Sequence, residues 1–178
     1  AKHTDGAPAT EAIIAQSEFN GNEASQRGGA VQLLGAPNVR LTDVTFTGNK
    51  AADGAALAAE NSAAAFAKVE WNGNTATNSG GGVHSVGSSL QFTTTLFTGN
   101  TAALAGAIYR QGGDMSISEA TFSGNQASGN AGAVYLEGAG GVVMNRVLLY
   151  ANRSGGSGGG ILAAGTTDFR LYNALAVG

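Results

Sequence analysis

Cysteine is absent from this chain of 178 residues, and proline occurs only twice. Without thiols, the chain can form neither a disulfide nor a thiolate metal site. Charged residues make up 12% of the sequence, well below the usual share, and the net charge of -3 offers no basic surface for nucleic acid. No run of about 18 apolar residues occurs that could cross a membrane as a helix. These features exclude disulfides, argue against nucleic acid as a partner, and leave no membrane-spanning helix in this sequence.

Glycine, in contrast, is abundant, with 29 residues, and much of it falls in a repeated pattern. A motif of an aromatic residue, a polar residue, glycine and asparagine occurs five times, and residues 149–152 are a degenerate sixth copy. The motif ends at these asparagines, which are separated by 27, 25, 26, 25 and 27 residues: Asn22, Asn49, Asn74, Asn100, Asn125 and Asn152. A period in the twenties that is kept six times indicates a repeat architecture.

Within each repeat, apolar or small residues precede the aromatic residue at positions minus seven, minus five and minus two. Val39, Leu41 and Val44 occupy these positions in the second repeat. Two-residue spacing predicts strands with these columns facing inward. The step from minus five to minus two breaks the alternation and predicts a corner or bulge. Another strand is expected at the aliphatic residue after each glycine block, so each repeat has two or three strands.

A repeat of about 26 residues is too short for a strand-helix-strand unit, but it matches one coil of a parallel β-helix. In that fold each strand pairs with its copy one coil away, at about 4.8 Å. We therefore predict an all-β, right-handed parallel β-helix of about six coils of 25–27 residues, the hand following the rule for parallel crossovers. Residues 11–178 are assigned to this solenoid, which is expected to be a segment of a larger polypeptide. Residues 1–10 fit no column and are interpreted as a lead-in or the end of a preceding coil.

The pairing of F-x-G-N with a downstream G-G-A-[VIL] in one coil resembles the repeat of the chlamydial polymorphic membrane proteins. Residues 19–22 with 28–31, and residues 122–125 with 132–134, carry this resemblance. It implies an autotransporter passenger-like β-helix at the cell surface or outside the cell, acting in adhesion. The chain departs from the family's pattern in having no cysteine.

The repeated asparagines are interpreted as structural. An asparagine amide can bond to backbone groups at a turn, and stacked coils place such amides in a ladder. Asn152 also begins an N-x-S glycosylation signal, but its ladder position favours the structural role. The aromatic column is expected to form a stacked core: Phe19, Phe46, Trp71, Phe97 and Phe122.

One outward column carries rings on three successive coils. The residue after each aliphatic residue is expected to point outward, and this column contains His84, Tyr109 and Tyr135. Such a row could bind a sugar chain or another protein surface, or it could be a stacked ladder without a ligand. Both interpretations stay open.

Outward charges three positions before the aromatic residue change sign between neighbouring coils. Asp43 is followed by Lys68, and Glu119 by Arg146, so ion pairs between coils are expected. Asp43 and Glu70 are expected on one face, which makes a paired-carboxylate hydrolase an alternative. The β-helix polysaccharide lyases, by resemblance, use a cluster of acidic residues with a basic residue, and no such cluster accompanies these two.

Arg110 breaks an inward column that holds leucine, alanine or serine in the other repeats. A buried guanidinium without partners is too costly. We expect Arg110 either to reach solvent at an open corner, which is the favoured interpretation, or to pair with Asp114.

The sequence thus favours a non-catalytic extracellular or cell-surface β-helix that acts as a structural scaffold, stalk or adhesin. The alternative is a carbohydrate-binding or carbohydrate-active (lyase or hydrolase) module of the same fold. No catalytic residue, cofactor or metal is expected. The expected partners are neighbouring coils or copies of the same protein in an assembly, with a host-surface protein or polysaccharide as a further candidate.

Overall fold

The computed structural model describes residues 11–166 and 168–178, and the expected lead-in at residues 1–10 lies outside the described residues. The described residues form three parallel sheets wound into a β-solenoid of about six turns. They contain no helix, and hence no long apolar helix able to cross a membrane. The predicted parallel β-helix is confirmed, with three strands in most coils.

Each sheet gathers one strand from successive coils. The first sheet holds the longest strands: β1 (Ala12–Asn20), β3 (Val39–Thr47), β6 (Ala63–Asn72), β9 (Ser89–Thr98), β12 (Met115–Ser123), β15 (Gly141–Tyr150), β18 (Asp168–Tyr172) and β19 (Leu175–Val177). The second sheet is the narrowest: β4 (Lys50–Asp53), β7 (Thr75–Ser79), β10 (Thr101–Ala102), β13 (Gln126–Ala127) and β16 (Arg153–Ser154). The third sheet begins after the glycine blocks: β2 (Val31–Leu34), β5 (Leu57–Glu60), β8 (Val83–Val86), β11 (Ile108–Gln111), β14 (Val134–Glu137) and β17 (Ile161–Ala164).

The register places equivalent residues of successive repeats beside one another. Phe46 pairs with Phe19 on one side and with Trp71 on the other. Because each strand pairs with its own copy, a preference at one position of the repeat becomes a continuous column along the axis. The columns read from the sequence are therefore columns of the structure.

A left-handed residue bends each of the first six long strands, β1 to β15. Each lies three positions before the motif's aromatic position and has φ between 49° and 55°: Gln16, Asp43, Lys68, Thr94, Glu119 and Arg146. Such φ values are uncommon outside glycine, and here they recur once per coil. They account for the break in alternation, so the predicted corner is confirmed.

The interior is one apolar column with small residues at its corners. Its centre contains the inward residues of the long strands and of the third sheet, such as Leu41, Val44 and Ile108. At the corner before the third sheet, a Cβ built on Gly106 would lie 2.3 Å from the carbonyl oxygen of Gly132. The glycine blocks therefore allow adjacent coils to approach at these corners.

Candidate functional site

The asparagine ladder runs through the interior of the solenoid. The side-chain nitrogen of Asn100 donates to the carbonyl oxygen of Trp71 at 2.8 Å and to Oδ1 of Asn125 at 3.0 Å. Its own Oδ1 accepts from the backbone nitrogen of Asn74 at 3.0 Å and from that residue's Nδ2 at 2.9 Å. All four bonding positions of the amide are thereby used, and the predicted ladder is confirmed.

The same pattern joins the other asparagines. Asn49, Asn74 and Asn125 have no exposed surface, and each is bonded to both neighbouring coils. Asn152 accepts from Asn125 and donates to the carbonyl oxygen of Phe122 at 2.8 Å. These amides hold the coils together, which is a structural use of the groups.

The aromatic column forms the predicted stack beside the ladder. Successive ring centroids lie 4.9, 4.6, 5.4 and 4.8 Å apart along Phe19, Phe46, Trp71, Phe97 and Phe122. All but Phe19 are fully buried. A second stack, Phe66 on Phe92 at 4.7 Å, meets this column edge to face. The aromatic column is therefore core and is closed to ligands.

The outer column of the third sheet also stacks, but its exposure differs from the expectation. The ring of Tyr109 lies between those of His84 and Tyr135, with centroids 5.0 and 5.5 Å away. His84 is only 6% exposed, whereas the two tyrosines are half-buried. The expected solvent-facing position of His84 is wrong, because Ser79, Asp53 and the ring of Tyr109 lie around it. Since the rings cover one another's faces, Tyr109 and Tyr135 offer mainly edges and hydroxyl groups to a partner.

A polar cluster surrounds His84 where the second sheet ends. Asp53 and Ser79 close β4 and β7 and are register partners, so they lie side by side. The Ser79 hydroxyl donates to Oδ1 of Asp53 at 2.6 Å and lies 2.9 Å from Nδ1 of His84. Arg27, bridged to Asp53 from the coil before, forms ion pairs with Glu60 and, at 3.8 Å, with Asp53.

These residue types resemble a catalytic triad, but they are connected in another order. In a triad the histidine lies between serine and carboxylate and accepts the serine proton. Here Ser79 lies between His84 and Asp53, and its single proton goes to the carboxylate. Nδ1 of His84 must then donate to the hydroxyl oxygen, so it cannot act as the base. This geometry does not activate Ser79 as a nucleophile.

Burial decides the protonation states in this region. Burial lowers the pKa of His84; the negative charge of Asp53 opposes the shift and the positive charge of Arg27 adds to it. Burial also raises the pKa of Tyr109, and its hydrogen bond to Glu137 raises it further. His84 is therefore neutral at pH 7, and Tyr109 keeps the proton that it donates at 2.5 Å to Glu137.

Arg110 is fully buried, so its expected solvent-facing corner is wrong. Its guanidinium donates to the carbonyl oxygens of Glu137, Gly138 and Ala139 at 3.0, 3.3 and 2.9 Å, and also to that of Gly113. These carbonyls take the place of solvent for the two terminal nitrogens, whereas Nε is buried without a hydrogen-bond partner. Burial lowers the pKa of Arg110, and the nearby carboxylate of Asp114 opposes that shift.

The expected alternative, in which Arg110 pairs with Asp114, is also wrong. Oδ1 of Asp114 instead accepts from the backbone nitrogen of Gly141 at 2.9 Å. At the same turn of the preceding coils, Oγ of Ser62 and Oγ of Ser88 each accept a backbone N–H from the coil before. In the next coil, Gly113 occupies the position that is serine in these two coils. At that turn the guanidinium of Arg110 makes the hydrogen bonds.

The outward charges form the ion pairs expected between coils. Lys68 lies 3.9 Å from Asp43, and Arg146 pairs with Glu119. Glu70 accepts a hydrogen bond from Asn72 at 3.2 Å. Among the described residues, no group of three or more histidine or acidic side chains could hold a metal ion. The charged groups on this face are thus engaged with protein neighbours.

Comparison with known families identifies the repeat at two places. The model of the Chlamydia polymorphic membrane protein (Chlamydia_PMP) repeat matches residues 43–60 and 119–137. Each match begins at the left-handed residue of a long strand, passes through the motif, and ends with a strand of the third sheet. The fold and the matched repeat fit a surface-type β-helix protein. The resemblance to the polymorphic membrane protein repeat is thereby confirmed. No curated protein and no solved structure matches the chain.

Proposed function

We propose that this β-helix is a non-catalytic scaffold, stalk or adhesive surface of a secreted or cell-surface protein. The observation that carries the proposal is the unbroken ladder from Asn22 to Asn152. Its buried polar groups are used to join coils, and the result is a rod about 30 Å long at about 4.8 Å per coil. A rod of this kind separates or presents groups along its outer columns.

The proposed location rests on the matched family, whose description names a membrane protein repeat. On this proposal, the partners are further coils or copies of the same protein, and a host-surface protein or polysaccharide that contacts the outer columns. The edges of Tyr109 and Tyr135, with the carboxylate of Glu137, are the candidate contact on the third sheet.

Surface location predicts labelling of the protein in intact cells. Lys68 keeps 69% of its side chain exposed, so a membrane-impermeant amine reagent should modify it in the full-length protein without lysis. The measurement is mass spectrometry of the peptide containing Lys68, with a cytoplasmic protein of the same cells as the negative control. Modification of Lys68 only after lysis would contradict a cell-surface location.

The non-catalytic role predicts no turnover of acidic or neutral polysaccharides, with or without calcium. Asp43 and Glu70 are the carboxylates that the hydrolase alternative would use, and both are engaged with neighbours. The assay is release of reducing ends or unsaturated products by the purified chain. Activity that disappears in Asp43→Asn or Glu70→Gln would overturn the scaffold in favour of the carbohydrate-active alternative.

A further inference from the structure

Arg27 crosses between coils on the outer side of the third sheet. It belongs to the turn before β2, is bridged to Asp53, and its side chain pairs with Glu60 at the end of β5. Ala58, two residues before Glu60 and therefore on the same side of the strand, is only 1% exposed. We call Arg27 with its two carboxylate partners the Arg27 strap, because it joins the first two coils beside this part of the outer face.

The strap is joined to the third coil through a short chain of hydrogen bonds. Asp53 accepts from Ser79, and Ser79 accepts from Nδ1 of His84. Three successive coils are therefore linked to His84 by one chain of contacts. The arrangement requires a proton on Nδ1, and burial, which lowers the pKa of His84, favours the neutral ring with Nε2 unprotonated.

A second proton on His84 has no place in this arrangement. Nε2 of His84 is buried and has no hydrogen-bond partner. Protonation would leave a buried N–H donor without an acceptor and add a positive charge near Arg27. The carboxylate of Asp53, 3.9 Å from Nδ1, is the compensating charge.

The other groups around the ring do not remove this cost. Tyr109 stacks on the ring and gives its hydroxyl proton to Glu137, one coil further from His84. Glu60 is joined to Arg27. The charged and titratable groups around His84 are thus Asp53, Arg27 and Glu60 on the strap side, and Tyr109 with Glu137 behind it.

We propose that the cluster of His84, Ser79, Asp53 and Arg27 is an acid-sensitive latch. Protonation of Nε2 leaves the Nδ1–H bond to Ser79 intact, but it adds a buried donor without an acceptor and a second positive charge near Arg27. The ring or Arg27 is then displaced, and the turns of the first three coils loosen at this corner. The strap then uncovers the outer face of the third sheet around Ala58 and His84. The proton comes from solvent and binds Nε2, and no covalent bond is made or broken.

The direction with pH follows from burial. The pKa of His84 in the folded chain is below the ordinary value of 6.5, so the unfolded chain takes up its proton first. The latch is complete above pH 6.5, and it weakens as the pH falls from there through the folded pKa.

Amide hydrogen exchange tests the latch. Gly28 donates to the carbonyl oxygen of Asp53 at 3.1 Å, and Gly54 donates to that of Ser79 at 2.9 Å. Gly99, which donates to the carbonyl oxygen of Ser123 and belongs to none of the turns joined by the strap, is the reference. Between pH 7.5 and pH 5, protection factors at Gly28 and Gly54 should fall at least several-fold relative to Gly99. Equal changes at all three amides would overturn the proposal.

Two further measurements separate His84 from a general acid effect. The chain contains two histidines, so ring NMR signals can be assigned with His3→Gln, and His84 should titrate below 6.5. His84→Gln should remove the difference between the strap amides and Gly99, whereas His3→Gln should keep it. If His84→Gln does not fold, the titration of the unmodified chain decides. A His84 titration at or above 6.5 would overturn the latch.

Discussion

Replacing Asn100 with leucine is expected to lower the free energy of unfolding by more than about 2 kcal/mol, or to prevent folding. Leucine has a similar volume but none of the four hydrogen bonds that the amide makes. It leaves two N–H groups of Asn74 without their acceptor and removes one donor each from the carbonyl oxygen of Trp71 and from Oδ1 of Asn125, which keeps only the backbone N–H of residue 100. Each buried polar group left unpaired costs about 1–3 kcal/mol.

The matched control is the next residue, Thr101, which lies on the outer side and is only partly buried. Its hydroxyl donates to Thr75 at the surface, where water can replace the bond. Thr101→Leu should therefore be nearly neutral. The measurement is chemical or thermal unfolding of both variants. Equal stabilities would contradict the stabilising role assigned to the asparagine ladder.

Most of the fold could be predicted because each coil repeats the same inward positions. The spacing of the asparagines sets the register, and the register places Phe46 beside Phe19 and Trp71. The bend in the long strands was visible as a break in alternation. The left-handed backbone at this bend could not be predicted, because residues as different as Asp43 and Lys68 occupy the position.

The burial of outward-pointing side chains could not be predicted from the repeat in the same way. Alternation says on which side of a strand a side chain lies, but it does not say what lies above that side. His84 is on the outer side and is nevertheless buried, because Asp53 and Ser79 at the ends of β4 and β7, and Arg27 from the turn before β2, lie beside it. A signal was present, since Arg27, Asp53 and Ser79 are spaced by 26 residues each and so fall in one column.

Arg110 was misplaced for a related reason. A carboxylate or solvent is the usual partner of a guanidinium, whereas Arg110 bonds to backbone carbonyls. The signal was the replacement of serine by Gly113 in the column of Ser62 and Ser88. The hydroxyls of Ser62 and Ser88 also donate to the carbonyl oxygens of Glu60 and Val86, so where the column ends another side chain must supply the donor.

Replacing Arg110 with leucine is expected to lower the free energy of unfolding by about 2–4 kcal/mol. Leucine fits the column, since Leu136 occupies the same position in the next coil, and the desolvation cost of the charge disappears. Against this gain, the carbonyl oxygens of Glu137, Gly138, Ala139 and Gly113 lose the guanidinium as a donor, and that of Glu137 keeps only the amide of Gly112. Hydrogen bonds to a charged group contribute about 1.5–3 kcal/mol each, so the loss outweighs the gain.

Two companion variants give this expectation its direction. Gln111→Leu changes the exposed neighbour and should be nearly neutral. Arg110→Lys should fall between leucine and arginine, because it keeps the charge but concentrates the donors on one nitrogen that cannot reach both turns. Unfolding midpoints rank the variants, and amide exchange at Gly141, beside the bonded carbonyls, locates the change. If the Arg110→Leu chain were as stable as the unmodified one, the desolvation cost of burying the guanidinium would equal the stabilisation from its hydrogen bonds to the turns.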